Sequence, residues 1–431
     1  VNPDTTTAFA ARSVPVPGSA RLLGGWYETG RPADLSEHLD RYGPAPTDGA
    51  RGTLADDVTR AGLTGRGGGG FPTGRKLATV AAQRGPAVVV ANGMESEPAS
   101  LKDETLLALA PHLVLDGAVL AATAVGAATV HLCLPRTRSE QAADLTRAVE
   151  ARSRARLDPV GIRVHTLPHH FVSSEETSLV SWLNGGGARP RPTPPRPFEK
   201  GVGKRPTFIA NVETLAHTAL IARYGPDWFR ELGDPRTPGT TLMTLSGAVR
   251  QPGVYELPAG SSAREALAAA GGSAGPLGAV LAGGFFGSWL AAPLDPAART
   301  PGAGVLVALP EHTCGLSETA GVLAYLGSQT AGQCGPCMFG LPSVAQDFAE
   351  LARGRPGAPL LERLGRRLGL LPGRGACRHP DGAARLAASA LETFADDVRR
   401  HLQYGPCAHA AAPLSLPVPV PRDTAAEEGW R

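Results

Sequence analysis

The sequence predicts an α/β layer with parallel strands, then a small α+β module, then a helical bundle. Three observations carry this reading. From about residue 52 to residue 234, apolar runs alternate with helical segments. Two strand-like runs then flank the turn Gln251-Pro252-Gly253 and open a stretch of mixed character. From Leu316 onward, amphipathic segments follow one another.

In the first region, residues 87–91 form a short apolar run ending at Asn92, the pattern of a buried strand. Further strands are expected over 129–134 and 161–167. Helices are expected over about 104–125 and 139–154, the second opened by a capping-box pattern, Thr137-x-x-Glu140. Ligands in such folds sit beyond the C-terminal ends of the strands, where Asn92 falls. The stretch 185–203, dense in Pro, Gly and Arg, is too long for a simple connector and reads as an active-site cover or a linker.

The second region reads as a hairpin over 241–246 and 254–257, a helix over 261–270 stopped by Gly271-Gly272, and a strand over 280–290. The third reads as four helices, over 316–328, 343–353, 360–368 and 382–402, which fit a small bundle. The expected boundaries are a disordered lead over 1–20, the α/β domain over 21–234, the α+β module over 235–308, the bundle over 309–407 and a disordered tail over 408–431.

At 431 residues the chain has room for two to four domains, and its 42% hydrophobic content supports ordinary buried cores. The net charge of +3 is too small to argue for nucleic acid. No signal peptide is read in the first 20 residues, which lack a basic start and an apolar core. The apolar stretch 113–134 approaches span length, but Asp116 lies inside it and it divides into a helix and a strand. The expected location is the cytoplasm. Five of the six cysteines (Cys133, Cys314, Cys334, Cys337, Cys377, Cys407) fall in the last third, which suggests a metal site before it suggests disulfides.

The most informative stretch is Gly65-Arg66-Gly67-Gly68-Gly69-Gly70-Phe71-Pro72-Thr73-Gly74-Arg75-Lys76. Its six glycines in ten positions let bare backbone approach a phosphate. Arg66, Arg75 and Lys76 add positive charge, and Phe71 offers a flat face for a ring. After the first strand come Asn92, Glu95 and Glu97, able to bind a heterocycle edge, ribose hydroxyls or a nicotinamide, or else to form a solvated acidic turn. Ser173-Ser174-Glu175-Glu176-Thr177 precedes an apolar helix. It reads either as a capping box from Ser173 to Glu176 or as a helix N-terminus turned toward an electron-rich cofactor. Pro206 to Thr214, including Asn211, is a strand-to-helix junction. Cys334-x-x-Cys337 with the distant Cys377 can bind one metal or a cluster edge; His379 could complete a Cys₃His zinc site.

In order and spacing, these elements resemble the flavin-binding, NADH-oxidising 51 kDa subunit of respiratory complex I, over about residues 21–402. The shared features are the Phe-Pro-Thr-Gly loop, the Asn-x-x-Glu-x-Glu-Pro segment, Glu-Glu-Thr, Asn-Val-Glu-Thr, and the runs Thr244-Leu245-Ser246-Gly247 and Pro252-Gly253-Val254-Tyr255. The resemblance implies an FMN-binding α/β domain, a β-grasp (soluble-ligand-binding) module and a helical domain with an iron–sulfur cluster. By that resemblance Gly65, Arg66, Gly67, Gly68, Lys76, Asn92, Glu175 and Asn211 hold FMN. Phe71, Glu95, Glu97 and Glu176 face the dinucleotide, and Cys334, Cys337 and Cys377 bind the cluster. It further implies hydride transfer from NADH to FMN and single-electron transfer through the cluster to ferredoxin-like or other redox subunits. Through those subunits the protein would reach a membrane reductase, and so lie peripheral to the inner membrane.

The chain departs from the family at several positions. Ala331 stands where the first cluster cysteine is expected, so a three-cysteine cluster is expected, either 3Fe–4S or 4Fe–4S with a non-cysteine ligand. If 316–328 is one helix, Cys314 lies about 20 Å from its far end, and Cys407 also falls at the end of the bundle away from the cluster. Thr79 and Thr193 replace an aromatic and a lysine on the dinucleotide side, and an aromatic near Gly203 is absent. Met94 replaces a common Asp, and Ser174 replaces a glycine. The NADH expectation therefore rests on fewer matching residues than the FMN expectation. The Asn92-to-Pro98 segment is also similar to the Rnf complex C subunit. Two alternatives follow: a ferredoxin-linked flavoprotein that does not oxidise NADH, and a non-catalytic scaffold with a structural metal.

Overall fold

The computed structural model describes residues 20–299, 303–354, 359–420 and 429–431. Most of the expected lead, 1–19, lies outside the described residues.

Among the described residues four helices come first: α1 (Gly24–Thr29), α2 (Leu35–Tyr42), α3 (Ala50–Ala61) and α4 (Thr73–Ala81). The α/β layer follows as β1 (Val88–Asn92), α5 (Lys102–Leu109), α6 (Pro111–Val125), β2 (Thr129–Pro135), α7 (Ser139–Arg154), β3 (Gly161–Leu167), α8 (Glu176–Leu183), β4 (Thr207–Asn211) and α9 (Val212–Arg230). The sheet order is β3-β2-β1-β4, all parallel. Residues of β1 alternate between two cores, as the two-residue strand period requires. Val89 and Ala91 join the large core with α3, α4, α6 and α9, while Val88 and Val90 join a smaller one with Leu179 and Val180 of α8.

The single helix expected over 104–125 is two, bent by 97°. Pro111 cannot donate to the preceding turn, and Ala110 before it leaves helical geometry. Among the described residues no single helix is long and apolar enough to cross a membrane; only this bent pair passes on length and composition together. Asp116 on α6 is 1% exposed. It accepts from His38 (2.8 Å), Arg152 (2.7 Å) and Arg223, so the apolar helix is the polar-pinned centre of the layer. The Thr137–Glu140 capping box does not form. The helix starts at Ser139 with no side-chain cap, and Thr137 Oγ1 lies 3.1 Å from His169 Nδ1.

After a short ribbon, β5 (Gly233–Asp234) and β6 (Thr237–Pro238), comes a mixed five-stranded sheet. Its strands are β7 (Thr240–Gly247), β8 (Gly253–Pro258), β9 (Leu277–Ala282), β10 (Ser288–Ala291) and β11 (Val305–Pro310), in order β10-β9-β11-β7-β8. Strand β11 runs parallel to β7; the other pairs are antiparallel. Helix α10 (Ala263–Ala269) is opened by a Ser262–Glu265 capping box. The strand expected over 280–290 is two strands, β9 and β10. Gly283 and Gly284 have positive φ (91° and 74°), which reverses the chain between them.

The bundle has five helices: α11 (Gly315–Ser328), α12 (Leu341–Ala352), α13 (Leu360–Leu370), α14 (His379–Thr393) and α15 (Ala395–Tyr404). The helix expected over 382–402 is interrupted at Phe394, whose ring turns inward against Trp289 (centroids 5.1 Å apart). The described part of the expected tail is largely exposed but is pinned at Leu416. Leu416 is 4% exposed, and Glu318 accepts the amides of Ser415 (2.7 Å) and Leu416 (3.0 Å). Its Pro- and Ala-rich composition hid these local anchors.

Carboxylates clasp the α/β layer to the mixed sheet. Glu256 of β8 accepts the amides of Arg21, Leu22 and Leu23 at 2.9–3.0 Å. Glu213 of α9 accepts from Leu242 N (2.9 Å) and Thr241 Oγ1 (3.0 Å), and Glu97 accepts from Phe285 N (2.8 Å).

Candidate functional site

The strand order reverses at β1: the chain proceeds outward through β2 and β3, then returns to place β4 on the other side. The crevice at such a switch point is where open parallel sheets bind ligands. Asn92 and Asn211, the last residues of β1 and β4, are register partners there.

The glycine loop lies over these strand ends. Its base is closed by Gly65 N donating to Phe71 O (2.9 Å) and by the Thr64–Pro72 bridge. Gly67 to Gly70 are exposed, and the turn uses positive φ at Gly68 (89°) and Gly70 (59°). A Cβ on Gly67 would stand 3.3 Å from Asn211 Cβ, so the bare glycine leaves room between loop and strand end. Gly74 does different work: a Cβ there would meet Thr59 N at 2.6 Å and Ala55 O at 2.8 Å, so it seats α4 against α3. Phe71 is 49% exposed with Arg75 above its ring (5.9 Å), free to meet a ligand.

The two basic groups nearest the loop diverge. Lys76 reaches the crevice, donating to Ile209 O (2.7 Å) and pairing with Glu176. Arg66 turns away. Its guanidinium donates to Pro238 O (3.1 Å) and Thr240 O (3.2 Å) beneath the loop, and its backbone N–H donates to Thr214 Oγ1 (2.9 Å). The flavin contact expected of Arg66 is therefore not made by a free guanidinium. Sequence alone cannot separate a phosphate-facing arginine from one that braces the next module.

The Asn92 carboxamide donates to Ser174 O (2.9 Å) and accepts from Met94 N (3.2 Å). Asn211 donates to Asp103 (2.6 Å) and caps α9 by accepting from Glu213 N (3.0 Å). Beneath it, Lys102 contacts Asp103 (2.6 Å), Glu213 (2.9 Å) and Asn211 Oδ1 (3.4 Å). Burial alone would raise the Glu213 carboxyl, but Lys102, His217 and Arg66 bring it down to about 2. Burial outweighs Lys102 at Asp103, which rises to about 6. Lys102 and Asp103 position Asn211, a role that their sequence pattern does not betray; adjacent opposite charges at a helix start read as a solvated pair.

Three acidic residues expected at the cofactors are each engaged by the protein itself. The Glu95 side chain is 2% exposed; it accepts the amides of Asp103 and Glu104 (both 2.9 Å) and pairs with Arg138 (3.2 Å). It caps α5. Glu97 is directed at Phe285 N and Ala99 N, and burial raises it to about 7. Glu175 is itself the cap of α8, accepting from Thr177 N (2.8 Å) and Ser178 N (3.2 Å), so the expected Ser173–Glu176 box is replaced. Carboxylates that satisfy helix N-termini have the same sequence signature as carboxylates that await a ligand. Only Glu176, 44% exposed, stays on the open side with Phe71.

Cys334 and Cys337 lie on one turn, Cys337 N donating to Cys334 O (3.0 Å), and Cys377 precedes α14. Burial raises Cys377 to about 11, with Glu175 and Cys334 adding to it. The cap of α8 thus adjoins the thiol cluster. The three sulfurs do not all lie within 4.8 Å of one another. A single zinc at about 2.3 Å from each would need them about 3.8 Å apart. His379 Nε2 donates to Leu326 O (2.8 Å), and the ring packs between Phe171 and Phe286. Its other ring nitrogen is buried without a hydrogen-bond partner among the described residues. Cys314 and Cys407 lie at the other end of α11, so among the described residues no fourth cysteine reaches the cluster position.

Against this geometry, the Nuo51 FMN-binding domain model matches residues 58–219. The SLBB domain model matches 242–280, and that of the NADH-ubiquinone oxidoreductase-F iron-sulfur binding region matches 318–401. The chain is 30% identical to the second NADH-quinone oxidoreductase F subunit of Rhizobium meliloti, over 92% of this chain and 98% of the relative. The chain belongs to the family of NADH-quinone oxidoreductase F subunits. Another family member, from Salmonella typhimurium, is 33% identical over 80% of this chain and 83% of its own length. Among solved structures, a chain of an NAD+-reducing [NiFe]-hydrogenase in the H2-reduced state superposes with a TM-score of 0.81 at 29% identity. That match covers 89% of this chain and 66% of the hydrogenase chain. The family models thus put FMN binding within residues 58–219 and iron–sulfur binding within residues 318–401.

Proposed function

We propose that this chain is the flavin and iron–sulfur component of an NADH dehydrogenase, taking electrons from NADH and passing them singly to a partner carrier. The observation that carries this is the placement of the glycine loop over the in-register pair Asn92 and Asn211 at the sheet's switch point. FMN, when bound, would supply an acceptor for one hydride (two electrons) from NADH, and an iron–sulfur cluster would carry those electrons onward one at a time.

The loop backbone at Gly67 and Gly68 and the Lys76 ammonium would hold the FMN phosphate and ring edge, Gly65 and Arg66 shaping the loop through their amides' bonds to Phe71 O and Thr214 Oγ1, with Asn92 and Asn211 bonding the heterocycle. Phe71 and Glu176 flank the open side from which the dinucleotide enters. Glu175 acts indirectly, ordering α8 between the crevice and Cys377. Cys334, Cys337 and Cys377 would bind the iron. The α+β module is read as a β-grasp domain, with domain limits near 21–234, 235–308 and 309–407. Beside Cys337, Met338 (51% exposed) and Phe339 (69%) present an apolar face fit for a redox partner subunit. We place the protein in the cytoplasm, reaching a membrane only through such partners.

Anaerobic protein made with riboflavin and iron in supply tests this: NADH should bleach its flavin absorbance, and NADPH should not. A second reading has one observation in its favour, the withdrawal of Glu95 and Glu97 from the dinucleotide side. Under it, reduced ferredoxin and not NADH bleaches the flavin. Colourless protein would leave only a scaffold.

A further inference from the structure

At the end of α11 remote from the cluster cysteines, three metal-ligating side chains converge. Cys314 immediately precedes α11, His401 lies on α15, and Cys407 lies in the segment beyond it. Their ligand atoms, Sγ, Nε2 and Sγ, all lie within 4.8 Å of one another, with Cys314 Sγ 3.8 Å from His401 Nε2. Cys314 and His401 are buried and Cys407 is half-buried. This is the spacing of ligands around one ion, which the cluster cysteines do not have.

The imidazole is already set for ligation. Its Nδ1 meets the Leu351 carbonyl at 3.3 Å, an acceptor only, so Nδ1 carries the proton and Nε2 keeps its lone pair. That lone pair faces the two sulfurs and accepts the Cys407 amide (3.1 Å), which a metal would replace. The Ser317 amide lies at the Cys314 sulfur, at the start of a 14-residue helix.

We propose that Cys314, His401 and Cys407 form a second metal site, separate from the iron–sulfur centre, that takes one soft divalent ion of the zinc class. Two thiolates and a neutral imidazole balance the ion's charge, and binding releases two thiol protons. The fourth position is left to water. The ion would join the first helix of the bundle, its last helix and the segment after it. That segment is otherwise held by Ser317 Oγ donating to Ala410 O (2.8 Å) and by the Glu318 contacts. The inference does not depend on the dehydrogenase reading, because none of these residues belongs to the flavin crevice or the cluster.

The test uses the full chain with its cluster intact, stripped of loosely held metal and titrated anaerobically with Co²⁺. One Co²⁺ per chain should bind, with thiolate-to-cobalt charge-transfer absorption and the visible bands of a tetrahedral ion. Cys314→Ser, Cys407→Ser and His401→Gln should each weaken that uptake roughly 100-fold while iron content stays unchanged. Cys377→Ser should lose iron and keep the cobalt site. Absence of the charge-transfer band in the unsubstituted protein overturns the proposal whether or not the variants fold. So does undiminished uptake in a folded Cys314→Ser or Cys407→Ser protein. A Cys314–Cys407 disulfide in anaerobically purified material also overturns it.

Discussion

Asn92 and Asn211 end adjacent parallel strands in register, and each holds its carboxamide by contacts from a different quarter. Asn92 is fixed by Ser174 before α8, and Asn211 by Asp103 at the start of α5. The two amides therefore face one crevice but are tuned independently. Asn211→Ala should weaken FMN binding about tenfold, the effect of one lost hydrogen bond of about 1.4 kcal/mol. It should also cost about 1 kcal/mol of stability through the lost cap of α9. Fluorimetric FMN titration and chemical denaturation separate the two effects.

The glycines of the loop should respond differently to alanine. At Gly67 the new methyl presses on Asn211, so Gly67→Ala should lower flavin occupancy with little change in melting. At Gly74 it strikes backbone of α3, so Gly74→Ala should destabilise by about 1–3 kcal/mol, the usual range for overpacking. Flavin absorbance per chain and thermal melts read both.

Cysteine substitutions should divide into two groups. Cys334→Ser, Cys337→Ser or Cys377→Ser should remove the cluster's absorbance and its paramagnetic signal. Cys314→Ser and Cys407→Ser should leave both in place. Loss of the cluster in either of the latter would mean that the three-cysteine ligand set is wrong.

Asp116 serves His38, Arg152 and Arg223 at once. Asp116→Ala leaves buried Arg223 without its carboxylate, while Arg152 keeps Asp158 (2.6 Å), and should cost about 3 kcal/mol, measured by urea denaturation. Cofactor-free protein gives the clearest reading, since bound flavin would mask part of the loss.

Glu97 sets a pH dependence of its own. Burial raises its folded-state value to about 7. The folded protein therefore binds this proton more tightly than the unfolded chain, so stability from this group falls as pH climbs from about 4.5 to 7. It levels off above that range. The side chain is partly open to solvent, which screens the penalty to about 1 kcal/mol. Glu97→Gln, which keeps an acceptor for Phe285 N, should flatten that slope and stabilise the protein at pH 8. Melting temperatures across pH 5 to 8 check it.

Much of the crevice could be read from local pattern. An apolar run must end somewhere, and Asn92 and Asn211 mark those ends in a fold whose ligand site is set by topology. The glycine loop is legible because few other structures need so many absent side chains together. The acidic residues were not legible, because the partners of Glu95 lie 8 and 9 residues away on a helix that starts two residues earlier than its pattern suggests. Glu97 and Arg66 were hidden for another reason: both bond backbone of the next module, at Phe285 and at Pro238 and Thr240, and a backbone partner leaves no trace in side-chain pattern.

Those same long-range bonds bear on how the molecule comes apart. Glu256 grips three amides near the start of the described chain, Glu213 holds the first strand of the mixed sheet, and Glu97 holds the reversal between β9 and β10. A protease nick in the connection between α9 and β7 would leave the pieces locked to each other. Heating should then give one calorimetric peak spanning the flavin layer and the mixed sheet, where independent modules would give two.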